Sequence, residues 1–381
     1  MKFLRWLLFI IVAAVVVYNI WAFTNTTGKE HTGIVIRPSP DSVFSIGIDS
    51  GNGNIIGMQP YLTAENYSSE AYLIQSLRPY FELAKEKKLL NDRTIVVLPE
   101  YTGSWLVAAQ EKKSVYTQSN ISDAMTTMVT SNIFKYGWAY LRAPDVAGKS
   151  TYALFMMKSA QMATIYQNIF SKLAKEFHVT LVAGSIVLPD PSIDKSGKLV
   201  TSKGTLYNAS VIFDPNGDIM SPLVKKIFPI DDEAGFTGCA PVDQNPVFNT
   251  PAGKLGVLVC ADSWYPAAYK SFNSQVKIIA VPSLGSIDNI WNAPWNGYNG
   301  FKAPADVDTG DYKKLTEGQA WKKYTMGKRA VQAGVHYGMN VFFTGQLWDK
   351  KSEGRVLLLN KDSLMEFSPA YSGRIINLWL N

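Results

Sequence analysis

The sequence predicts an α/β fold in which buried strands alternate with helices, preceded by a long apolar segment at the N-terminus. Runs rich in apolar and β-branched residues at 94–98, 179–189 and 254–259 are typical of buried strands. Segments 65–90 and 152–177 place apolar residues at helical spacing. In sheets of this kind active sites form at the carboxyl ends of the strands. We therefore searched those ends for reactive side chains.

The N-terminal segment is predicted to anchor the protein in a membrane. Residues 6–23 form an almost uninterrupted apolar run that follows two basic residues. At about 1.5 Å per residue such a run just spans a bilayer core of about 30 Å. A cleaved signal peptide is the alternative, but no small-residue cleavage site follows, and Tyr18 and Trp21 suit a membrane interface. The positive-inside rule then predicts a single-pass topology, with everything after Phe23 on the non-cytoplasmic side.

Composition divides the chain into three parts. Residues 1–23 are interpreted as a cytoplasmic tip and transmembrane anchor. Residues 24–53, rich in Thr, Ser, Gly, Asn and Pro, are interpreted as a tether, and residues 54–381 as the catalytic domain. A hydrophobic share of 47% is ample for a large core in that domain.

Charge and cysteine usage exclude several functional classes. The net charge is +6, but no dense basic run is present, so nucleic acid binding is not expected. Cys239 and Cys260 are too few for a disulfide scaffold, and we expect both to be free thiols. The three histidines are scattered without partners at ligand spacing, so no metal site and no cofactor are expected.

A cysteine stands at the end of the most conspicuous strand. The run 254–259 stops at Cys260, and Ala-Asp-Ser-Trp-Tyr-Pro follows, a mixture of turn and helix-starting residues. Open backbone N–H groups at such a junction favour a thiolate and a reaction oxyanion. The alternative is a small hydrophobic residue that closes a strand.

Two further candidates stand at strand ends. Glu100 follows Leu-Pro directly after the strand at 94–98. Lys225 is flanked by Leu, Val, Ile and Phe, so it is either an edge-strand lysine or a lysine drawn into a pocket. Neither folded-domain histidine ends a strand, which disfavours a Cys–His pair. A carboxylate beside a lysine could instead take the thiol proton while the ammonium stabilises negative charge on the substrate oxygen.

The blocks Leu-Pro-Glu100-Tyr, Asp-Pro-Asn-Gly217 followed by Leu-Val-Lys225, and Val-Cys260-Ala-Asp-Ser-Trp resemble, in this order, the Glu, Lys and Cys motifs of the nitrilase (carbon–nitrogen hydrolase) superfamily. The resemblance covers residues 54–381. It implies a four-layer α-β-β-α sandwich, often dimeric, so a homodimer is possible. It also implies a cysteine that attacks an amide or nitrile carbon to form an acyl-enzyme.

The resemblance also implies roles for individual residues. Cys260 would be the nucleophile, Glu100 the general base and acid, and Lys225 the cation that stabilises the oxyanion. The N–H of Ala261 would add a second oxyanion donor, and Asp262 would hold the turn. Lys226 competes with Lys225, although the spacing from the preceding glycine favours Lys225.

Other features leave the reaction type open. Glu233 resembles an additional glutamate of membrane apolipoprotein N-acyltransferases and is a possible additional acid. A long stretch, 284–319, carries Trp291, Trp295 and Tyr298 and is expected to cover the substrate. The sequence thus predicts a membrane-anchored hydrolase of a small non-peptide amide. The alternatives are acyl transfer from a lipid or amide donor to an amine, and a catalytically inactive binding module.

Overall fold

A computed structural model describes residues 2–285, 289–369 and 372–381. The α-helices of these residues are α1 Lys2–Phe23, α2 Glu70–Glu86, α3 Lys113–Tyr116, α4 Ile121–Ser131, α5 Ile133–Arg142, α6 Lys149–Phe177, α7 Asp231–Ala234, α8 Pro266–Lys270, α9 Glu317–Tyr324 and α10 Met326–Gln332.

The strands of the described residues are β1 Val43–Ile46, β2 Asn54–Gln59, β3 Tyr61–Thr63, β4 Thr94–Val97, β5 Thr180–Val182, β6 Ile186–Pro189, β7 Ser192–Ile193, β8 Leu199–Val200, β9 Leu206–Ser210, β10 Ile212–Phe213, β11 Val224–Lys225, β12 Val247–Thr250, β13 Gly253–Val257, β14 Ile278–Ser283, β15 Tyr337–Phe342, β16 Thr344–Leu347, β17 Lys350–Glu353, β18 Val356–Asn360, β19 Ser363–Phe367 and β20 Arg374–Trp379.

Two six-stranded mixed sheets form the centre of the fold. The first has the order β1-β20-β2-β4-β5-β10 and the second β12-β13-β14-β15-β18-β19. Their inner faces share one core, in which Ile55 and Ile95 of the first sheet join Ile279 and Met339 of the second. The approach is close at Gly57, where a Cβ would lie 2.9 Å from the Met339 sulfur.

Helices cover the outer face of each sheet. Helices α2 and α6 pack on the first sheet, and buried residues such as Leu77 and Phe170 belong to its outer core. Helices α8, α9 and α10 lie over the second sheet, where Ala268 and Ala330 join the other core. The predicted four-layer α-β-β-α sandwich is confirmed.

The apolar run predicted as a strand over 179–189 is divided between two sheets. Strand β5 belongs to the first sheet, whereas β6 pairs with β9 in a small sheet that also contains β11. Gly184, between them, adopts a φ of +68° that favours glycine. A Cβ there would lie only 2.0 Å from the carbonyl oxygen of Pro99. The turn at Gly184 therefore abuts the residue that precedes Glu100.

The segment interpreted as a tether is partly built into the fold. Strand β1 pairs in parallel with β20 at the edge of the first sheet. Thr27 is buried, and its N–H donates to the carbonyl of Glu111 at 2.9 Å. The packed structure therefore begins before residue 54.

Helix α1 is long and apolar enough to cross a membrane by its length and composition. Its side chains are largely exposed in the protein itself. A signal sequence has the same length and composition, so these two properties alone leave the choice between the two open.

We expect Gly184→Ala to destabilise the protein more than Gly197→Ala. Both glycines have positive φ, and a Cβ in that conformation costs about 1–2 kcal/mol. Gly197 has open space around it, whereas Gly184 abuts the Pro99 carbonyl. Urea unfolding of the two variants measures the difference, which we expect to exceed about 1 kcal/mol because backbone must shift. Equal losses in the free energy of unfolding would contradict the close approach of Gly184 to the Pro99 carbonyl.

Candidate active site

Glu100 is held by the turn that follows strand β4. The N–H of Leu98 still donates to Val182 of the neighbouring strand at 3.0 Å. The chain then turns at Tyr101, whose φ is +61° and whose N–H donates to the Ser185 hydroxyl at 2.9 Å. This turn buries the Glu100 side chain, which is 2% exposed. The predicted glutamate thus points into the protein at the carboxyl end of its strand.

Cys260 lies in a tight turn shortly after strand β13. After β13 the chain enters a single 3₁₀ turn, Cys260–Trp264, and Cys260 itself has a φ of +49°. Positive φ is uncommon for a residue with a side chain and is often found at functional sites. The Asp262 carboxylate accepts the Val259 N–H at 3.2 Å and so closes the turn.

Lys226, and not Lys225, lies beside Glu100. The Lys226 ammonium is 2.9 Å from the Glu100 carboxylate, and the side chain is 1% exposed. Lys225 is half-buried, with its ammonium 3.5 Å from Asp190 and 4.4 Å from the ring centre of Tyr207. The prediction that placed Lys225 in the site is therefore wrong.

Lys225 and Lys226 differ in position because their side chains point in opposite directions. Strand β11 pairs along the edge of the small sheet with β9, and neighbouring residues of an extended chain point to opposite faces. Lys225 faces outward, as the edge-strand interpretation expected. Lys226 then faces the interior, where Glu100 lies.

Glu233 completes the charged cluster. It lies on the short helix α7, and its carboxylate is 2.5 Å from the Lys226 ammonium. The Asn208 amide donates to both Glu100 and Glu233 at 2.9 Å each, and the Tyr101 hydroxyl also donates to Glu233. The structure therefore brings the possible additional acid into the same site.

Burial and charge shift the pKa values of these groups in opposite directions. Burial alone would lower the pKa of Lys226, but the two carboxylates outweigh it and hold that pKa well above its usual range. The pKa of Glu100 is raised by burial, against the pull of Lys226, and the charge of Glu233 raises it further. Burial would also raise the pKa of Glu233, yet Lys226 lowers it overall.

The Cys260 thiol is a neutral group at rest. Burial raises its pKa, the charge of Glu100 raises it further, and Lys226 only partly opposes them. In the structure the thiol donates to the Leu284 carbonyl at 3.8 Å. The charge of Glu100 thus opposes the thiolate that open N–H groups at the turn would favour. A nucleophile of this kind needs a base at the moment of attack.

Asp262 connects the cysteine turn to the lysine segment. Its carboxylate accepts the N–H groups of Ile227 and Phe228 at 3.0 and 2.8 Å, in addition to the bond within its own turn. Burial raises the pKa of Asp262 to about 7. Ala261 lies in the first turn of the 3₁₀ helix, where backbone N–H groups lack intrahelical acceptors. Its N–H could serve an oxyanion.

A cavity of about 920 Å³ opens onto this cluster, and its inner end is formed by Glu100, Lys226, Glu233 and Cys260. Its walls include aromatic residues that sequence reasoning missed, among them Trp105 and Phe155. Phe155 lies on helix α6, and its apolar face was the only sequence signal for such a wall.

The aromatic residues predicted to cover the substrate do not belong to the described lining of this cavity. Trp295 stacks between Trp264 and Tyr324, and the Tyr298 hydroxyl donates to the Trp264 carbonyl. Trp291 is buried and donates to Glu366. The prediction for Trp291, Trp295 and Tyr298 is wrong, because these rings fill the space between the second sheet and its helices. Residues 286–288 of the same stretch lie outside the described residues.

Comparison with known proteins identifies the family. A sequence model of the carbon-nitrogen hydrolase family matches residues 56–295. The chain belongs to the carbon-nitrogen hydrolase family. This is the nitrilase superfamily inferred from the Glu, Lys and Cys blocks, although the lysine itself is displaced by one residue.

Curated relatives of this carbon-nitrogen hydrolase are similar over part of their length. A nitrilase of Bacillus sp. is 29% identical over 122 residues, which cover 28% of this chain and 36% of the relative. An omega-amidase of Saccharomyces cerevisiae is 30% identical over 102 residues, covering 25% of this chain and 32% of the relative. The chain thus spans about a third of the length of these relatives.

Solved structures share the fold of this carbon-nitrogen hydrolase over most of its length. An amidase from Nesterenkonia sp. superposes with a TM-score of 0.52 at 14% identity, covering 92% of this chain and 94% of the amidase. A double mutant of that amidase in complex with acrylamide gives 0.51 at 12% identity, with coverage of 87% and 92%. At such low identity the likeness shows the fold alone.

We expect Lys226→Met to abolish turnover and Lys225→Met to leave it nearly intact. The first change removes the only cation that contacts both Glu100 and Glu233 among the described residues. Loss of one stabilising group at an oxyanion costs about 10²–10³-fold in kcat, and two unpaired buried carboxylates cost about 3–5 kcal/mol of stability. Hydrolysis of a short amide and thermal melts measure both. Greater damage from Lys225→Met would contradict the placement of Lys226.

We expect Glu233→Gln to move the acidic limb of the activity profile to lower pH. Glu100 must be ionised to accept a proton, so activity rises as the pH passes its raised pKa. The negative charge of Glu233 contributes to that increase, and its removal therefore lowers the pKa of Glu100. The measurement is kcat/KM against pH. Asp231→Asn, an exposed acid of the same helix, is the control, and an unchanged limb in Glu233→Gln would refute the coupling.

Proposed function

We propose that this carbon-nitrogen hydrolase is an amidase that cleaves a non-peptide C–N bond through an acyl-enzyme on Cys260. The observation that supports this most directly is that Glu100, Lys226 and Cys260 line one cavity, with the Glu100 carboxylate 2.9 Å from the Lys226 ammonium. A related structure points in the same direction. A mutant of the Nesterenkonia amidase shows covalent addition of the acetamide moiety of fluoroacetamide at its active site cysteine.

In the first half-reaction the acyl-enzyme forms. The Cys260 sulfur bonds to the amide carbonyl carbon while its proton passes to Glu100, and the π electrons of the carbonyl move to its oxygen. The Lys226 ammonium and the Ala261 N–H stabilise that oxyanion. When the carbonyl re-forms, the C–N bond breaks and the nitrogen takes the proton from Glu100. The amine then departs, and the acyl group remains on Cys260 as a thioester.

In the second half-reaction water releases the acyl group. Glu100 takes a proton from water as its oxygen bonds to the thioester carbon, and Lys226 again faces the oxyanion. The C–S bond then breaks, and the sulfur recovers its proton from Glu100. A carboxylic acid leaves, and the enzyme returns to its starting state. Glu233 keeps Lys226 charged throughout, because its own carboxylate remains ionised beside the ammonium.

Acyl transfer to an amine is the second candidate reaction. It begins with the same thioester, and the buried Glu233 is the feature that favours it, since its carboxylate could accept a proton from an amine acceptor. The two reactions separate in one experiment. Purified protein is given an amide substrate with and without hydroxylamine. Free acid as the main product supports hydrolysis, whereas preferential hydroxamate at low acceptor concentration supports transfer.

We further propose that helix α1 is retained as an anchor, with the catalytic domain on the non-cytoplasmic side. Lys112 is buried, and its ammonium donates to the carbonyls of Trp21 and Thr24 at the end of the helix at 2.5 and 2.7 Å. Cleavage after residue 23 would remove the Trp21 carbonyl and leave the Lys112 ammonium with one of these two acceptors. Intact-mass measurement of protein purified from membranes tests retention.

We expect Cys260→Ala to abolish turnover and to leave thermal unfolding nearly unchanged. The substitution removes the sulfur that forms the thioester but deletes only one buried atom from the site. Mass spectrometry of the wild type quenched during turnover should find an acyl group on Cys260, and Cys260→Ala should show none. The control is Cys239→Ala, since Cys239 is a free, exposed thiol outside the cavity lining. A Cys260→Ala protein that still turns over would end the proposed mechanism.

A further inference from the structure

Helix α5 presents an apolar stripe that the described protein leaves uncovered. Phe134, Trp138 and Leu141 are 62%, 60% and 80% exposed. Their spacing of four and three residues places them on one face of the helix. Scattered apolar residues are ordinary on a surface, but a continuous stripe of large side chains marks an interaction surface.

Basic side chains flank this stripe. The Arg142 guanidinium lies 3.6 Å from the ring centre of Trp138, and the Lys149 ammonium lies 5.0 Å from that of Tyr140. Lys135 is exposed on the same helix. An amphipathic helix with aromatic residues on one face and basic residues beside them is typical of segments that lie in a membrane–water interface.

The stripe is continuous with helix α1. The ring of Tyr18 packs edge-on against Phe134, with 5.3 Å between the ring centres. The Tyr18 hydroxyl accepts the N–H of Ile133 at 3.1 Å and donates to the Thr130 carbonyl at 2.9 Å. Tyr18 lies near the end of the helix, where interfacial aromatics are expected. A bilayer that holds α1 would therefore reach the start of α5.

The opposite side of α5 forms part of the cavity that ends at Cys260. Tyr136 lines the cavity, and its hydroxyl donates to the Ser150 carbonyl at 3.4 Å. The apolar wall continues with Val129 of α4 and Leu154 of α6.

The cavity opens next to this helix. Ser122, Thr126 and Ser150 line it and are exposed, as are Asp232 and Lys350 elsewhere in the lining, whereas Glu100 and Cys260 are buried. An apolar passage therefore leads from a mouth beside the exposed stripe to the reactive sulfur.

We propose that α5 lies in the membrane–water interface and that the cavity receives the acyl chain of a membrane-embedded long-chain amide. The substrate class rests on the proposed amidase function, whereas the position of α5 does not. A volume of about 920 Å³ is at the upper end of ligand sites, which usually measure about 300–1,000 Å³. A carbonyl placed at Cys260 would leave an attached chain among Leu154, Val129 and Tyr136. The mouth of the cavity would then open at the membrane surface, where a membrane-embedded amide resides.

The depth of α5 can be measured in the full chain without any activity. The protein is reconstituted in vesicles of phosphatidylcholine and phosphatidylglycerol, in a background lacking both native thiols. A nitroxide is attached through Leu141→Cys or, as a matched control, through Asp362→Cys in an exposed turn. We expect Leu141→Cys to show a higher ratio of oxygen to nickel-complex collisions, because oxygen concentrates in the bilayer. Equal ratios would overturn the interfacial position, and so would spin–spin broadening from a second copy of the chain.

The substrate class is tested with two amides of one amine, a four-carbon and a fourteen-carbon acyl amide, both presented with the same vesicles. Each buried methylene is worth about fourfold in binding, so we expect kcat/KM to favour the long chain at least tenfold. Leu141→Ser should lower the long-to-short ratio at least threefold. Ile48→Ser, which replaces an apolar side chain of matching exposure (82%), should leave the ratio unchanged.

The outcomes separate this inference from the proposed function. Cleavage of the short amide without preference for the long one overturns the substrate class and leaves the amidase standing. Cleavage of neither amide contradicts the amidase function itself and removes the substrate class with it. The collision ratios then decide the position of α5 independently.

Discussion

The constraint on which the rest of the site depends is one buried ammonium held between two buried carboxylates. Lys226 is almost inaccessible to water and contacts both Glu100 and Glu233. Removing a charge from water costs several kcal/mol, and the cost is recovered only where the partners are fixed in good geometry. The surrounding elements supply that geometry: the turn after β4, the Asn208 amide on β9, and the short helix α7.

This arrangement, together with burial, favours a neutral Cys260 thiol. Burial raises the pKa of Cys260, and the charge of Glu100 raises it further while Lys226 only partly opposes them. The same carboxylate that discourages the thiolate is the group to which the proton can move. Ionisation of the sulfur is thereby tied to the arrival of an electrophilic carbon. A resting enzyme of this kind keeps its cysteine less reactive towards other electrophiles.

Sequence reasoning succeeded where a residue's position along a strand was sufficient. Glu100 and Cys260 each follow a β-branched apolar run, and parallel strands bring such ends to one edge of a sandwich. It failed where orientation decides. Lys225 ends β11 and Lys226 follows it, so the two have the same chemistry and only the direction in which each side chain points distinguishes them.

The aromatic stretch failed for a related physical reason. Trp295 and Tyr298 could have lined a pocket or filled a core, and composition does not distinguish these outcomes. In the fold they pack against Trp264, the last residue of the turn that begins at Cys260. The aromatic walls of the cavity come from helices whose apolar faces resembled ordinary core packing. Glu233 was found by resemblance, since a glutamate in a short acidic segment has no distinguishing pattern of its own.

The strand order of the first sheet has a consequence for biosynthesis. Strand β20 lies between β1 and β2, and the buried amide of Asn54 meets that of Asn377, 323 positions further along the polypeptide. Until the ribosome has delivered that late strand, β2 has an unpaired apolar edge next to β4, and such edges promote aggregation. The sandwich therefore closes only after β20 has emerged, whereas α1 is translated long before it and, in the proposed anchoring role, could enter a lipid phase in the meantime. Early tethering of that kind would keep neighbouring nascent chains apart during the wait.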